Sequence, residues 1–262
     1  MAEAIFDDPV GEKIAAAAPE MLADKAKKPW ARMLVLAILA GAFIAFGSIA
    51  ALVAQADMGD GGAVRLLSGL AFSVGLMMVM IVGAELFTGN TMMLLPMTTG
   101  ALKPGRMFGA WTLVWFGNLI GALVIALLFA GSGGLGDGVG EAAITLADDK
   151  LAKSPAAIFC SAILANMLVC LAVWMSMNAR TITGKAVSIL GPVMIFVAAG
   201  LEHSIANMSL LPLGWLAAPG ASPDLIGGLL NLAFSTVGNV IGGGAVAVAI
   251  AFGHDRLRQS AG

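Results

Sequence analysis

The sequence is short of charge. Asp, Glu, Lys and Arg make up 11% of its 262 residues, against 59% hydrophobic. A water-soluble domain carries roughly 25% charged residues, so this chain cannot cover a water-facing surface and needs lipid as its solvent. Its net charge is −2 with no long acidic or basic block, which makes nucleic acid a poor partner. Cysteine and histidine number two each. Cys160 and Cys170 share one apolar run, about 15 Å apart if it is a single helix, too far for a disulfide between them, and both read as small apolar packers. The four side chains make no metal-ligand cluster. A nucleophile elbow, a phosphate-binding loop and a dinucleotide fingerprint are also missing in any usable context, so neither an enzyme nor a cofactor is expected. Residues 1–30 are too long and too acidic for the start of a secretory signal.

Uninterrupted apolar sequence is what the chain has in quantity. Charge-free runs cover 33–55, 107–130, 154–179 and 225–253, each long enough to cross a bilayer. Two further runs, 66–102 and 186–223, hold one acid each, Glu85 and Glu202. They are too long for one span of about 20 residues and tight for two. Loop charge separates the options. Six spans with both termini in the cytoplasm place 11 Lys and Arg inside, Arg256 and Arg258 among them, and only Arg65, Lys150 and Lys153 outside; eight spans give 9 and 5. The positive-inside rule favours six.

Runs two and five then each cross once and contain non-helical or re-entrant residues. Gly83, Gly89 and Pro96 punctuate one, and Gly191, Pro192, Gly200 and Pro212 the other. Such breaks survive at membrane depth only where protein or a water-filled cavity meets the freed backbone groups. The acidic 130–154 loop faces out. Residues 31–253 form the transmembrane domain, in halves of about 31–130 and 154–253, and 254–262 form a cytoplasmic tail. In the cytoplasmic segment 1–30, Ile5, Val10, Ile14, Met21 and Leu22 make one apolar stripe, which fits a helix at the membrane surface or a loosely ordered polar tail.

The two odd runs resemble each other. Gly83-Ala-Glu85-Leu-Phe-Thr-Gly-Asn90 and Gly200-Leu-Glu202-His-Ser-Ile-Ala-Asn207 both fit G-x-E-x-x-x-x-N. Gly117-Asn118-Leu-Ile-Gly121 and Gly238-Asn239-Val-Ile-Gly242 follow in the same order at nearly the same separation. The chain therefore reads as an all-α membrane protein of two three-span repeats. Because three is odd, the second repeat enters from the opposite face. In inverted repeats of this kind the solute path lies near the midplane, between interrupted helices in matching positions.

His203 is the histidine expected inside the membrane, at the second break. Ionisable groups at that depth tend to mark pathways or proton relays, and histidine exchanges protons near neutral pH; the alternative is a neutral ring satisfying freed carbonyls. Glu85, Glu202, Asn90 and Asn207 occupy equivalent places, so they read as structural, with the carboxylates taking N–H groups freed by the breaks. Asn118, Asn166 and Asn239 read as inter-helix hydrogen-bond groups. Phe72, Leu76, Phe87 and Phe196 are ordinary packing residues or an apolar constriction that rejects hydrated ions. Lys150 and Lys153 are solvated loop charges or a lure for anions.

At these residues the sequence resembles the formate/nitrite transporter family. The resemblance rests on 40–47 (AGAFIAFG), 83–90 (GAELFTGN), 116–122 (FGNLIGA), 166–175 (NMLVCLAVWM), 202–208 (EHSIANM) and 238–243 (GNVIGG), which touch all six spans. It implies an aquaporin-like protomer in a homopentamer, in a bacterial cytoplasmic membrane, with one pore per protomer and a small monovalent anion as cargo. By motif, His203 is similar to the central pore histidine and Thr88 to the residue that reaches it. Phe72, Leu76, Phe87 and Phe196 match constriction residues, Lys150 the vestibule lysine, and Asn166 and Asn239 pore-lining asparagines. Leu201 departs from the pattern, in which an aromatic often precedes the Glu-His pair. Formate and nitrite are the expected cargoes, with hydrosulfide or lactate as alternatives. Passage is expected to be coupled to protons, the alternatives being a plain anion channel or a neutral-solute pore.

Overall fold

The computed structural model describes residues 10–59 and 61–257. Of the features expected from sequence, Ile5, the side chain of Val10, and Arg258 lie outside this description. Among the described residues the chain is helical throughout. Five helices are long and apolar enough to cross a membrane: α2 (Trp30–Gln55), α3 (Gly62–Val82), α6 (Pro104–Gly131), α8 (Pro155–Asn178) and α11 (Leu225–Gly253). Shorter helices fill the rest: α1 (Val10–Lys27), α4 (Phe87–Asn90), α5 (Leu94–Thr98), α7 (Val139–Leu151), α9 (Ile182–Ala198) and α10 (Ser204–Ala217), with a 3₁₀ turn over Thr91–Met93.

The helices begin where local chemistry lets them. Pro104 and Pro155 open α6 and α8, positions where a missing N–H costs nothing. Ser154, Thr181 and Asp224 cap α8, α9 and α11 through their side-chain oxygens. Many large apolar side chains point outward, among them Val35, Leu39, Phe46, Leu70, Leu127 and Leu229. A water-soluble monomer does not expose apolar surface on this scale; lipid and neighbouring subunits can cover it.

Two helix pairs pack so closely that backbone touches backbone. Side chains at Gly117 and Gly121 of α6 would collide with Ala37 and the Ile38 carbonyl of α2, and at Gly238 and Gly242 of α11 with Ala162 and the Ile163 carbonyl of α8. These are the glycines of the two Gly-Asn motifs, and the close approach is what the motif is for.

Two segments differ from expectation. The loop expected over 130–154 contains α7, which buries Val139, Ala143, Ala147 and Lys150. The N-terminal stripe consists of Ala15, Ala18, Leu22 and Ala26, all buried, while Met21 points outward. Helix α1 docks on protein, against Met92, Leu95, Trp174 and Val246 among others, with Ile14 and Leu22 of the expected stripe beside its alanines.

Candidate functional site

The buried polar side chains gather where helices are interrupted. Helix α3 stops at Gly83, which takes a left-handed conformation (φ 80°), and the chain re-enters helix at Phe87. Helix α9 gives way to Gly200 (φ 63°), and helix resumes at Ser204. Glycine adopts positive φ without the clash other residues meet.

Each interruption frees backbone groups, and an asparagine collects them. Asn118 accepts the Phe87 N–H at 2.9 Å and donates to the carbonyls of Ala37 (2.7 Å) and Glu85 (2.9 Å). Asn239 accepts the Ser204 N–H at 2.9 Å and donates to the carbonyls of Ala162 (2.8 Å) and Glu202 (3.1 Å). Asn239, expected along a pathway, therefore has its amide committed to the backbone of the second break, as Asn118 has at the first.

The glutamates do not take the freed N–H groups, contrary to expectation. The Glu85 N–H goes to the Leu36 carbonyl and that of Glu202 to Ser161 Oγ. Both carboxylates turn to cations instead. Glu85 receives Lys28 (2.8 Å), Lys25 (3.5 Å) and the Asn90 amide (2.9 Å). Glu202 receives Lys153 (2.6 Å), Lys150 (3.2 Å) and the Asn207 amide (2.6 Å). A buried carboxylate without a counter-charge is strongly destabilising, and a lone N–H cannot supply one. Each cluster holds two ammonium groups against one carboxylate. Lys25 and Lys28 come from α1 and the turn after it; Lys150 and Lys153 come from α7 and the turn after it.

Between the clusters His203 meets Thr88, with Nε2 2.9 Å from Thr88 Oγ1. The Ala206 N–H donates to Nδ1 at 3.1 Å, so Nδ1 is an acceptor and carries no proton. The neutral ring then bears its proton on Nε2 and donates it to Thr88 Oγ1, which leaves the threonine's own hydroxyl proton available. Phe196 stacks on the His203 ring at 5.7 Å, and Phe72 meets Phe196 edge-on at 5.5 Å.

On one side of this pair opens a vestibule of about 520 Å³, lined by Lys150, His203, Asn207, Phe72, Phe196 and Arg65 among others. Leu201, where the family resemblance departs, lines it too. Beyond the aromatics, Ile44, Leu76, Leu86 and Val169 join Phe72, Phe196 and His203 around a void with no room for water. Phe87 lies elsewhere, edge-on to Trp111. The residue of the first break that lines the void is Leu86.

Asn166 stands behind Thr88. Its Nδ2 faces the Thr88 carbonyl (3.1 Å), Thr91 Oγ1 (2.9 Å) and the Asn239 carbonyl, while its Oδ1 has no hydrogen-bond partner. Cys170, expected as an apolar packer, also reaches the Thr88 carbonyl, at 3.5 Å.

Sequence reasoning missed Lys25, Lys28, Leu86, Thr91 and the polar contact of Cys170. For the lysines a signal was present. Lys25-x-x-Lys28 stands just before Pro29, and Lys150-x-x-Lys153 two residues before Pro155.

The family described as "Formate/nitrite transporter" matches residues 12–253. The chain is 36% identical over 262 residues to the formate channel FocA of Escherichia coli strain K12, covering 91% of this chain and 92% of that protein. It is 34% identical over 211 residues to the nitrite transporter NirC of Salmonella typhimurium, covering 80% and 78%. Among solved structures it resembles an FNT family ion channel with a TM-score of 0.81 at 30% identity, covering 93% of this chain and 96% of that one. A pentameric formate channel with formate bound gives a TM-score of 0.79 at 32% identity, covering 87% and 98%.

Proposed function

The chain belongs to the formate/nitrite transporter family, and we propose that it passes a small monovalent weak-acid anion, formate or nitrite, through each protomer past His203 and Thr88. The observation that carries this reading is the His203–Thr88 hydrogen bond, set where a polar vestibule, lined by Arg65 and Lys150 and by Asp57, Glu141 and Asp149, meets an apolar void.

A bare anion loses its hydration on entering apolar surroundings, at a cost of many kcal/mol if nothing replaces it. Lys150, at the inner end of the vestibule beside His203 and Asn207, offers the anion a local positive charge past the acids Asp57, Glu141 and Asp149 of the same lining. The α10 N-terminus, with its partial positive charge, and the Thr88 hydroxyl stand at the narrow point. There the anion takes a proton from hydronium that enters by the vestibule, water is left behind, and the neutral acid passes Phe72, Leu76, Leu86 and Phe196, so that flux is coupled to protons. His203 serves as a fixed donor and electrostatic partner rather than as the proton carrier, since protonating Nδ1 would break its bond from Ala206. The same bond favours a second reading, a plain anion channel in which His203 only shapes the field.

We further propose six spans in two inverted repeats, with α3–α5 and α9–α10 as the broken spans. Both termini lie in the cytoplasm of a bacterial cell, in its cytoplasmic membrane. The matched asparagine and glutamate clusters support the repeat, and loop charge supports the orientation. The likeness to a pentameric channel supports a homopentamer with one passage per protomer.

The test is uptake of labelled formate, nitrite, lactate and hydrosulfide into proteoliposomes across pH, recorded together with proton movement. Formate or nitrite flux that moves protons and drops in His203→Ala is the expected result. Anion current without proton movement favours the channel, and His203→Ala with unchanged flux and pH dependence rejects the role of His203.

A further inference from the structure

The two halves match at their ends and differ where Thr88 is held. Asn118 and Asn239 set the register, because their amides reach Ala37 in α2 and Ala162 in α8. Four residues beyond those alanines stand Gly41 and Asn166; eight beyond stand Ala45 and Cys170. Six residues after the glutamates stand Thr91 and Met208, and four after the asparagines stand Ala122 and Gly243. By this register one set of places holds Gly41, Ala45, Ala122 and Met208, none with a strong polar side chain. The other assembles Asn166, Cys170, Gly243 and Thr91.

The polar set converges on one atom. The Thr88 carbonyl accepts from Thr91 Oγ1 at 2.6 Å and Cys170 Sγ at 3.5 Å, and Asn166 Nδ2, whose two protons it shares with Thr91 Oγ1 and the Asn239 carbonyl, stands at 3.1 Å. Thr91 Oγ1 in turn accepts from Asn166 at 2.9 Å. All four residues are buried. Gly243 leaves the space, for a side chain there would collide with Thr91, Asn166 and Cys170. Helix α4 passes into a 3₁₀ turn at Thr91–Met93 before α5 begins, and hydrogen-bond geometry is poorer in such a turn. Side-chain donors on the Thr88 carbonyl add to the ladder at that change of helix type.

We infer that Thr91, backed by Asn166 and Cys170, is a positioning residue that fixes Thr88 so its hydroxyl meets His203 Nε2. This rests on the reading that the His203–Thr88 pair lines the passage. Thr91 need not touch the solute. Removing its hydroxyl releases the Thr88 carbonyl from its shortest bond and lets α4 shift, and misplacement by about 1 Å at such a point is costly.

Two measurements on the pentamer test this. The first is the ¹⁵N resonance of His203 Nε2 in histidine-labelled protein carrying His254→Gln, which leaves one histidine. The second is formate flux in proteoliposomes. Thr91→Val keeps the volume and loses the hydroxyl; it is expected to move the resonance and lower flux about tenfold, the size expected for one or two lost hydrogen bonds. Thr91→Ser keeps the hydroxyl and is expected to do neither. Should Thr91→Val fail to assemble, Thr91→Ala makes the same test without added bulk. The inference is overturned if Thr91→Val moves neither the resonance nor the flux while Thr88→Val loses flux, or if Thr91→Ser behaves like Thr91→Val. If Thr88→Val leaves flux unchanged, the reading of the passage falls instead, and the resonance alone still decides whether Thr91 holds Thr88.

Discussion

The break after α3 and the break after α9 are built alike at the backbone and differently at the centre. Each has a positive-φ glycine, an asparagine gathering freed amide groups, and a glutamate held by two lysines and a further asparagine. One residue past the glutamates, the first break has Leu86 and the second His203; three residues past, the first has Thr88 and the second Ile205. What is shared solves a problem common to both, namely an interrupted helix among apolar surroundings. What differs is the pair whose polar atoms meet. The shared parts hold the two breaks, and the residues that differ are the ones whose polar atoms meet.

The largest test of this comparison removes the departures. The double variant His203→Leu, Thr88→Ile gives each break the other's apolar residue. Loss of a hydrogen-bonded stop for the anion is expected to lower formate flux about a hundredfold, or roughly 2.7 kcal/mol, while the protein still elutes as an intact oligomer. Near-normal flux would show that the centre needs no polar pair.

Next is the sameness itself. Asn118→Leu and Asn239→Leu each strand one N–H and two carbonyls, at about 1–3 kcal/mol for each group left unpaired. Both are expected to lower the thermal unfolding temperature in detergent, and by similar amounts. A large loss in one and none in the other would break the equivalence.

The smallest effect concerns the outer charges. Arg65→Met is expected to raise the half-saturating formate concentration about threefold from the vestibule side only, since Arg65 is exposed in the vestibule lining and one partly screened charge is worth under about 1 kcal/mol. Lys25→Met should act from the opposite side. Inside-out and right-side-out vesicles separate the two, and an effect independent of side would argue against charge at the mouths.

Much of this was legible in the sequence because it is carried by short motifs. Glu85 to Asn90, Glu202 to Asn207 and the two Gly-Asn segments declare their equivalence by spacing alone. The two Lys-x-x-Lys segments mark the cations by spacing, but not which acid each pair meets. Lys28 lies 57 residues from Glu85 and Lys150 lies 52 from Glu202, so only packing of α1 and α7 reveals the pairs. Leu86 and Phe87 are adjacent apolar residues that spacing does not separate; the turn into α4 sends Phe87 toward Trp111 and leaves Leu86 at the void. Thr91 and Cys170 looked ordinary because their importance lies in converging on one carbonyl, a relation that spacing along a single helix cannot express.

The lysine clamps also bear on how the chain is made. In each half the two lysines precede the glutamate they neutralise, Lys25 and Lys28 before Glu85, Lys150 and Lys153 before Glu202. The ribosome therefore releases the counter-ions first. When a carboxylate reaches the bilayer during synthesis, its positive partners already exist, and neither half has to wait for later sequence to neutralise its acid.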